Sequence, residues 1–423
     1  MKYSPWKYRL STWLLSCYVF IAVFAPLLAN EKPLLISING KTIFPAFSSD
    51  PYSYIPDSTG RGIKTLSNNI NWKILKAEAK IFPPVSWSPL NSDLTNSFVS
   101  PFDEQFYRFS DKEEKLPINY RHFLGTGKTG NDVLASLIHG CRTSLLIGFF
   151  STVIAILIGT FLGGMAGYFG DHQVKIKRGS FLLSLLFIIP SWFYSFYLRQ
   201  EILRDSFSYS LFSGFLQLTI SFLLFLCLIL WPLLVRFPFS SLLQKKITVP
   251  VDGIISRTLE IFLSLPRLIL ILTLAAITKP SLVSLILIIG LTSWTETARM
   301  VRAQFLSLRE MNYIAAAKAV GNNTFRILFI HLLPNAISQV IVLGIFGMAS
   351  AILMETGLSF LGAGVPAGTP SWGSLMFQAR ENYQAWWLVL FSGAAIFFLL
   401  ISLYNVGNRL KKFKNESVLF NKL

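Results

Sequence analysis

An all-α polytopic membrane protein is what this 423-residue chain predicts, and three features carry that reading. Hydrophobic residues make up 52% of it and charged residues only 14%, where a soluble globular domain carries about 25% charged residues. The apolar residues gather into stretches long enough to cross a bilayer, which takes roughly 20 residues at 1.5 Å rise each. The basic residues collect on alternate sides of those stretches, as topology rules require.

Eight stretches qualify, at about 12–29, 143–169, 180–198, 211–235, 255–277, 282–298, 336–353 and 386–404. The first follows a basic start. Its apolar run is longer than a usual signal core, and Leu27-Leu28-Ala29 is a poor small-x-small site, so an uncleaved span is favoured over a signal peptide. Residues 30–130 are polar and rich in Pro, Ser, Asn and aromatics, too long for a linker, and read as a small extracytoplasmic domain or cap. Within them ISINGKTIF predicts a hairpin turning at Asn39-Gly40. Asn131 to Arg142 carries a helical apolar stripe, read equally as a surface helix or as the beginning of the second span. Residues 131–405 hold the remaining spans, and 406–423 form a basic tail.

Charge placement orients the chain. Twenty Lys and Arg residues fall in the segments assigned to the cytoplasm, including Lys175, Lys177, Lys245, Lys246, Arg299 and Arg302; the short outer loops hold Arg199, Arg204, Lys279 and Arg380. Long translocated segments are left out of such a count. Both termini are therefore expected inside, and the formal net charge of +17 is topological rather than a sign of nucleic-acid binding. Cys17, Cys141 and Cys227 show no metal-ligand spacing, and the scattered His122, His139, His172 and His331 form no catalytic set; no catalytic residue, metal or cofactor is expected. GTGKT at 125–129 lacks the earlier Gly and the buried strand of a phosphate loop.

The most informative stretch is YIAAAKAVGNNTFRILFIHLLPN, residues 313–335. Ile314 to Val320 predicts a short Ala-rich helix, since Ala is the best helix former. Gly321-Asn322-Asn323 predicts a turn, because Gly and Asn tolerate the left-handed backbone that ends helices. Thr324 is expected to cap a second helix, Phe325 to Leu333, stopped by Pro334. Arg267, after Pro266 in the fifth span, has two readings. A mid-bilayer charge costs about 2.5–3.5 kcal/mol on insertion scales, so it either lines a cavity or snorkels to an interface. Glu355, at the outer end of the seventh span, reads as a gate-packing residue rather than a proton relay.

The 313–334 loop resembles the EAA loop of binding-protein-dependent ABC importer permeases, whose pattern is Glu-Ala-Ala, Gly four residues on, then Ile-x-Leu-Pro. Ala316, Ala317, Gly321, Leu333 and Pro334 match; Ala315 stands at the Glu position and His331 at the Ile position. HFLGTGKTGNDVLASLIHGCRTSLLIG (122–148), WTETARMVRAQFLSLRE (294–310) and LSFLGAGVPAGTPSWGSLM (358–376) resemble the dipeptide, oligopeptide and nickel branch. ANEKPLLISINGKTIFP (29–45) and IFPPVSWSPLNSDL (81–94) are similar to the first loop of oligopeptide permeases of the microcin C type. The family proceeds from Gly167-Tyr168-Phe169-Gly170 to a segment like VDGIISRTLEIFLSLPRLILIL, which begins here at Val251, so the two stretches between, within about 175–250, are an inserted hairpin.

The resemblance implies a type I ABC importer transmembrane domain with a six-span core plus that two-span hairpin, in a bacterial inner membrane. It implies a permease subunit for peptides or oligopeptides that pairs with a homologous permease, two ATPase subunits and an extracytoplasmic solute-binding protein. Ala315, Ala316, Ala317, Gly321, His331, Leu333 and Pro334 would then form the ATPase-coupling loop, and Arg267 would line the pathway. The alternatives are an exporter permease, or an importer of nickel or another small solute.

Overall fold

The computed structural model describes residues 5–420 apart from 39, 48–51, 56–62, 67–71, 74, 76, 110–111, 210 and 235–244. Helices occupy every stretch that hydropathy marks out. Pro5–Leu28, Val133–Phe169, Leu211–Leu234, Leu282–Arg309, Leu333–Phe360 and Trp386–Phe420 are long single helices. Two further stretches are broken: Arg178–Leu186 is followed by Ile188–Tyr209, and Val251–Ser264 by Arg267–Ile277. The second break falls at Leu265-Pro266, because a residue before proline is pushed out of the helical region and proline donates no N–H.

Among the described residues, five helices are long and apolar enough to cross a membrane, or up to seven spans result if each broken pair counts as one. Within the helix Leu211–Leu234 the described apolar stretch is Leu216–Pro232. Val133–Phe169 has 37 residues, about 55 Å at 1.5 Å per residue, well beyond the ~30 Å hydrocarbon core. Asn131 to Arg142 is therefore not a separate surface helix from Val133 onward but the start of this one.

The chain forms two compact units. The first comprises Met1–Ile158, Leu265–Thr297 and Asn335–Leu423. Its core packs Cys141, Leu145, Ile352, Trp372 and Leu399 into one cluster and Ile147, Ile271, Leu285, Ile289 and Leu358 into another. The helix Pro5–Leu28 runs against Trp386–Phe420, where Tyr18 Oη donates to the Ala395 carbonyl at 2.8 Å and Asn405 Nδ2 to Ser11 Oγ at 2.8 Å. Glu355 is fully buried and accepts from Ser144 Oγ at 3.1 Å and Ser359 Oγ at 2.8 Å, which ties Val133–Phe169 to Leu333–Phe360.

The polar segment belongs to this unit and contributes its short strands. Leu35–Ile38 pairs antiparallel with Lys41–Ile43 and Ala79–Ile81, over Ile36, Ile38 and Trp72. The pairing Ile38↔Lys41 leaves the two-residue turn that the sequence predicts; Asn39 itself lies outside the described residues. GTGKT is structural: Thr126 is buried, its hydroxyl donates to the Asn96 carbonyl at 2.5 Å, and its own carbonyl accepts from Trp387 Nε1 at 3.0 Å.

A buried histidine closes the segment against the helix start. His122 Nδ1 lies 2.9 Å from Asp132 Oδ2 and Nε2 lies 3.6 Å from Asp93. The Trp87 ring stacks on the imidazole, and the Lys73 amine sits over the Trp87 ring. Burial pulls the imidazole down, but the two carboxylates outweigh it and hold it above the ordinary histidine range. Burial pushes the Lys73 amine down to about 7.

The second unit comprises Gly159–Ser264 and Ala298–Pro334. Gly163 lets two helices touch, since a Cβ there would stand 2.3 Å from the Ala298 carbonyl oxygen. Asp252 and Arg302 form a paired, partly buried ion pair through Nε–Oδ1 and Nη2–Oδ2, the latter at 2.7 Å. The inserted hairpin is closed at its feet. Lys175–Lys177 pairs antiparallel with Lys246–Thr248, Val249 N donates to the Val174 carbonyl at 2.9 Å, and Asp171 accepts from Gly253 N at 2.8 Å. Toward its other end, Arg199 donates to Gln217 at 2.7 Å and to Ser221 at 3.1 Å.

Candidate functional site

The loop singled out in the sequence lies in the second unit and is ordered by its own backbone. Asn312–Ala319 is helical, with Ile314 and Ala317 buried. Beyond it Gly321 adopts φ +82°; its N–H reaches the Lys318 carbonyl at 3.0 Å, and the Asn322 N–H reaches Ala317 at 3.1 Å. That pair of bonds is the Schellman closure of a helix end, and it needs a residue comfortable in the left-handed region. The predicted turn is therefore present at the predicted glycine.

Two local expectations change. The cap of the next helix is Asn323, whose side chain accepts from Phe325 N, and not Thr324. Asn and Thr are both good caps, and adjacent ones leave the choice to the geometry of the preceding turn. Nor does Pro334 stop the chain. Thr324–Arg326 is α-helical, Ile327–Leu332 widens to a π-helix, and the chain then runs on as Leu333–Phe360. A proline at 334 cannot donate to residue 330 and crowds its carbonyl. The wide turn absorbs that defect, with Leu333 N bonding Leu328 O instead.

The loop buries Ile314, Ala317, Ile327 and Leu332 and presents the rest. Ala315, Ala316, Lys318 and Gly321 are exposed. So are Val320, Phe325, Phe329 and Ile330, with Val320 at 84% and Phe325 at 69%. The rings of Phe325 and Phe329 stack at 6.1 Å. His331 and Leu333 are half-buried and Pro334 is exposed. This is an ordered helix-turn-helix whose Val320, Phe325, Phe329 and Ile330 side chains are left uncovered by the described residues. The sequence motif marks Ala315 to Gly321, but the aromatic pair and Val320 escaped it, though their spacing of four, Phe325 to Phe329, is a helical-face signal.

Arg267 falls elsewhere, in the first unit. It is the first residue of the helix Arg267–Ile277, half-buried, with Nη2 donating to Ser293 Oγ and Nη1 3.5 Å from Ser350 Oγ. It lines a small cavity with Thr152, Ser293, Glu296 and Ser350.

Several long apolar helices with an ordered, exposed loop between them mark a multi-pass membrane protein. Residues 237–412 match the family described as "Binding-protein-dependent transport system inner membrane component". The chain is 26% identical over 417 residues to the peptidoglycan transport system permease protein YejE of Agrobacterium fabrum, covering 95% of this chain and 87% of that one. It is 28% identical over 291 residues to the dipeptide transport system permease protein DppC of Alkalihalophilus pseudofirmus, covering 69% and 70%. It is 25% identical over 408 residues to the inner membrane ABC transporter permease protein YejE of Escherichia coli, covering 94% and 91%. The match over residues 237–412 and the similarity along most of the chain support an importer permease with several membrane-spanning helices. The matched family is one of transport permeases rather than enzymes.

Proposed function

We propose that this chain forms half of the translocation pathway of an ATP-driven peptide importer and couples it to a separate ATPase subunit through residues 313–334. The observation that carries this is the loop: rigid by its Schellman turn, small-sided at Ala315, Ala316 and Gly321, and tipped by uncovered Val320, Phe325 and Phe329. Two short helices held by one turn transmit rigid-body motion, so closure of a docked partner on ATP would move the helix that continues from the loop. Ala315 gives up the charge of the family's Glu and leaves packing to hold the dock. His331, Leu333 and Pro334 shape the wide turn beneath it.

The partners are a homologous permease across a pseudo-twofold axis, two ATPase subunits that hydrolyse ATP, and a solute-binding protein that delivers substrate near residues 30–130. Residues 1–29 are the cytoplasmic start and first span, 131–405 the transmembrane domain with its hairpin at about 175–250, and 406–423 a cytoplasmic tail, so both termini lie inside. The basic residues on the loop side of the spans support that orientation. Peptide is the substrate class because relatives named for peptidoglycan and dipeptide transport cover much of this chain. The test is reconstitution of this chain with its co-encoded permease, ATPases and binding protein in proteoliposomes. ATP-dependent uptake of labelled peptide, not displaced by nickel, is expected; uptake of nickel alone, or outward movement, would overturn the reading.

A further inference from the structure

Arg267 poses a problem that coupling does not explain. A guanidinium carries five donors and is always charged. Here Nη1 and Nη2 meet the hydroxyls of Ser350 and Ser293, and Nε is buried without a hydrogen-bond partner. Among the described residues no carboxylate stands within ion-pair distance of it. The same cavity holds a second orphan: Thr152 is 8% exposed, and its Oγ1 is buried with no partner. Buried polar atoms in native proteins are almost always satisfied, so two unsatisfied ones on side chains of one cavity wall point to a missing partner.

The space is about 30 Å³, room for one water or one carboxylate oxygen rather than a whole solute. Its wall also carries Glu296 and Thr297, and Glu296 is exposed. Ser293, Glu296 and Thr297 are three and four residues apart, hence on one face of the helix Leu282–Arg309. Arginine and hydroxyl donors suit a carboxylate, and an exposed glutamate beside them disfavours a bare anion but suits a molecule that also bears a cation.

We propose that Arg267, Thr152 and Glu296 form a subsite that reads the charged termini of a passing peptide. The peptide carboxylate meets the Arg267 guanidinium and Thr152 at the cavity, and Glu296 meets the ammonium group. This rests on the reading of the chain as a peptide permease and adds to it a residue-level selectivity inside the membrane. Arg267 and Thr152 hold the anionic end; Glu296 makes the subsite selective for zwitterions.

The test uses the full reconstituted complex with three labelled forms of one dipeptide: free, C-terminally amidated and N-acetylated. Because the binding protein is common to all samples, the variant-to-wild-type ratio for each form isolates the permease. Arg267→Gln is expected to cut uptake of the free dipeptide at least about tenfold, the scale of losing one charged hydrogen bond, while changing the amidated form little. Glu296→Gln should penalise the free form relative to the N-acetylated one. Should Arg267→Gln not assemble, Thr152→Val, which removes the orphan hydroxyl at similar volume, is expected to lower the free-to-amidated ratio. Equal effects on all three forms in an assembled Arg267→Gln complex, or an unchanged ratio in Thr152→Val, would overturn the subsite. Wild type that moves none of the three would instead overturn the peptide-permease reading.

Discussion

Gly321 offers a perturbation whose magnitude follows from the structure. Its φ of +82° lies where side chains other than glycine are strained, while a Cβ built on it meets nothing within 4 Å. A substitution therefore changes conformational cost alone and creates no clash. A left-handed residue with a Cβ costs roughly 1–2 kcal/mol, and Asn less because its short polar side chain tolerates that region. Gly321→Ala should then reduce the closed-to-open ratio of the turn by about 5–30-fold, and Gly321→Asn by much less. Amide hydrogen exchange reads this directly, because the Gly321 and Asn322 N–H groups make the two closing bonds. After correction for intrinsic rates, exchange at 321 and 322 should rise by about that factor in the Ala variant, with uptake ranked wild type, Asn, Ala. Equal protection in Ala and wild type, or Asn worse than Ala, would refute the reasoning.

Three other outcomes are expected. Removing residues 175–248 and joining the ends should leave an inserted chain that still captures its ATPase, because Val174 and Val249 are already hydrogen-bonded; fluorescence size-exclusion profiles of the two forms check this. Arg302→Met should lower the melting temperature in detergent by stranding a partly buried carboxylate, a cost of about 1–3 kcal/mol, with the exchanged pair Asp252→Arg/Arg302→Asp recovering part of it. His122 is held above its ordinary pKa, so its stabilisation is full below about pH 6.5 and is lost as pH rises through the folded value. Lys73, pushed down to about 7 across Trp87, works in the opposite sense, so the melting difference between wild type and His122→Asn is the quantity to follow. That difference should shrink from pH 6 to pH 9.

Hydropathy alone made the helical spans legible, because a bilayer demands long apolar runs whatever their partners. The two-residue link between Ile38 and Lys41 and the turn at Gly321 were legible for a related reason: turn chemistry is local and only a few residue types supply it. What stayed hidden depends on distance along the chain. The partners of Arg267 lie 26 and 83 residues away, and the Asp252–Arg302 pair spans 50, so no local pattern announces them. Pro334 was misread for another reason. Proline ends most helices, but a π turn ahead of it supplies the one extra residue that lets the helix continue, and sequence does not reveal when that turn forms. The family motif likewise names the small residues of the loop and passes over Val320 and Phe325, the side chains it leaves most exposed.

The central claim is that the uncovered apolar tip of the loop docks an ATPase, and co-purification with that subunit tests it most directly. Val320→Glu and Phe325→Glu change exposed side chains and leave Gly321 and its turn intact. The account predicts that wild type captures the ATPase and that the double variant, inserted and folded to the same extent, does not. Equal capture by both would contradict it.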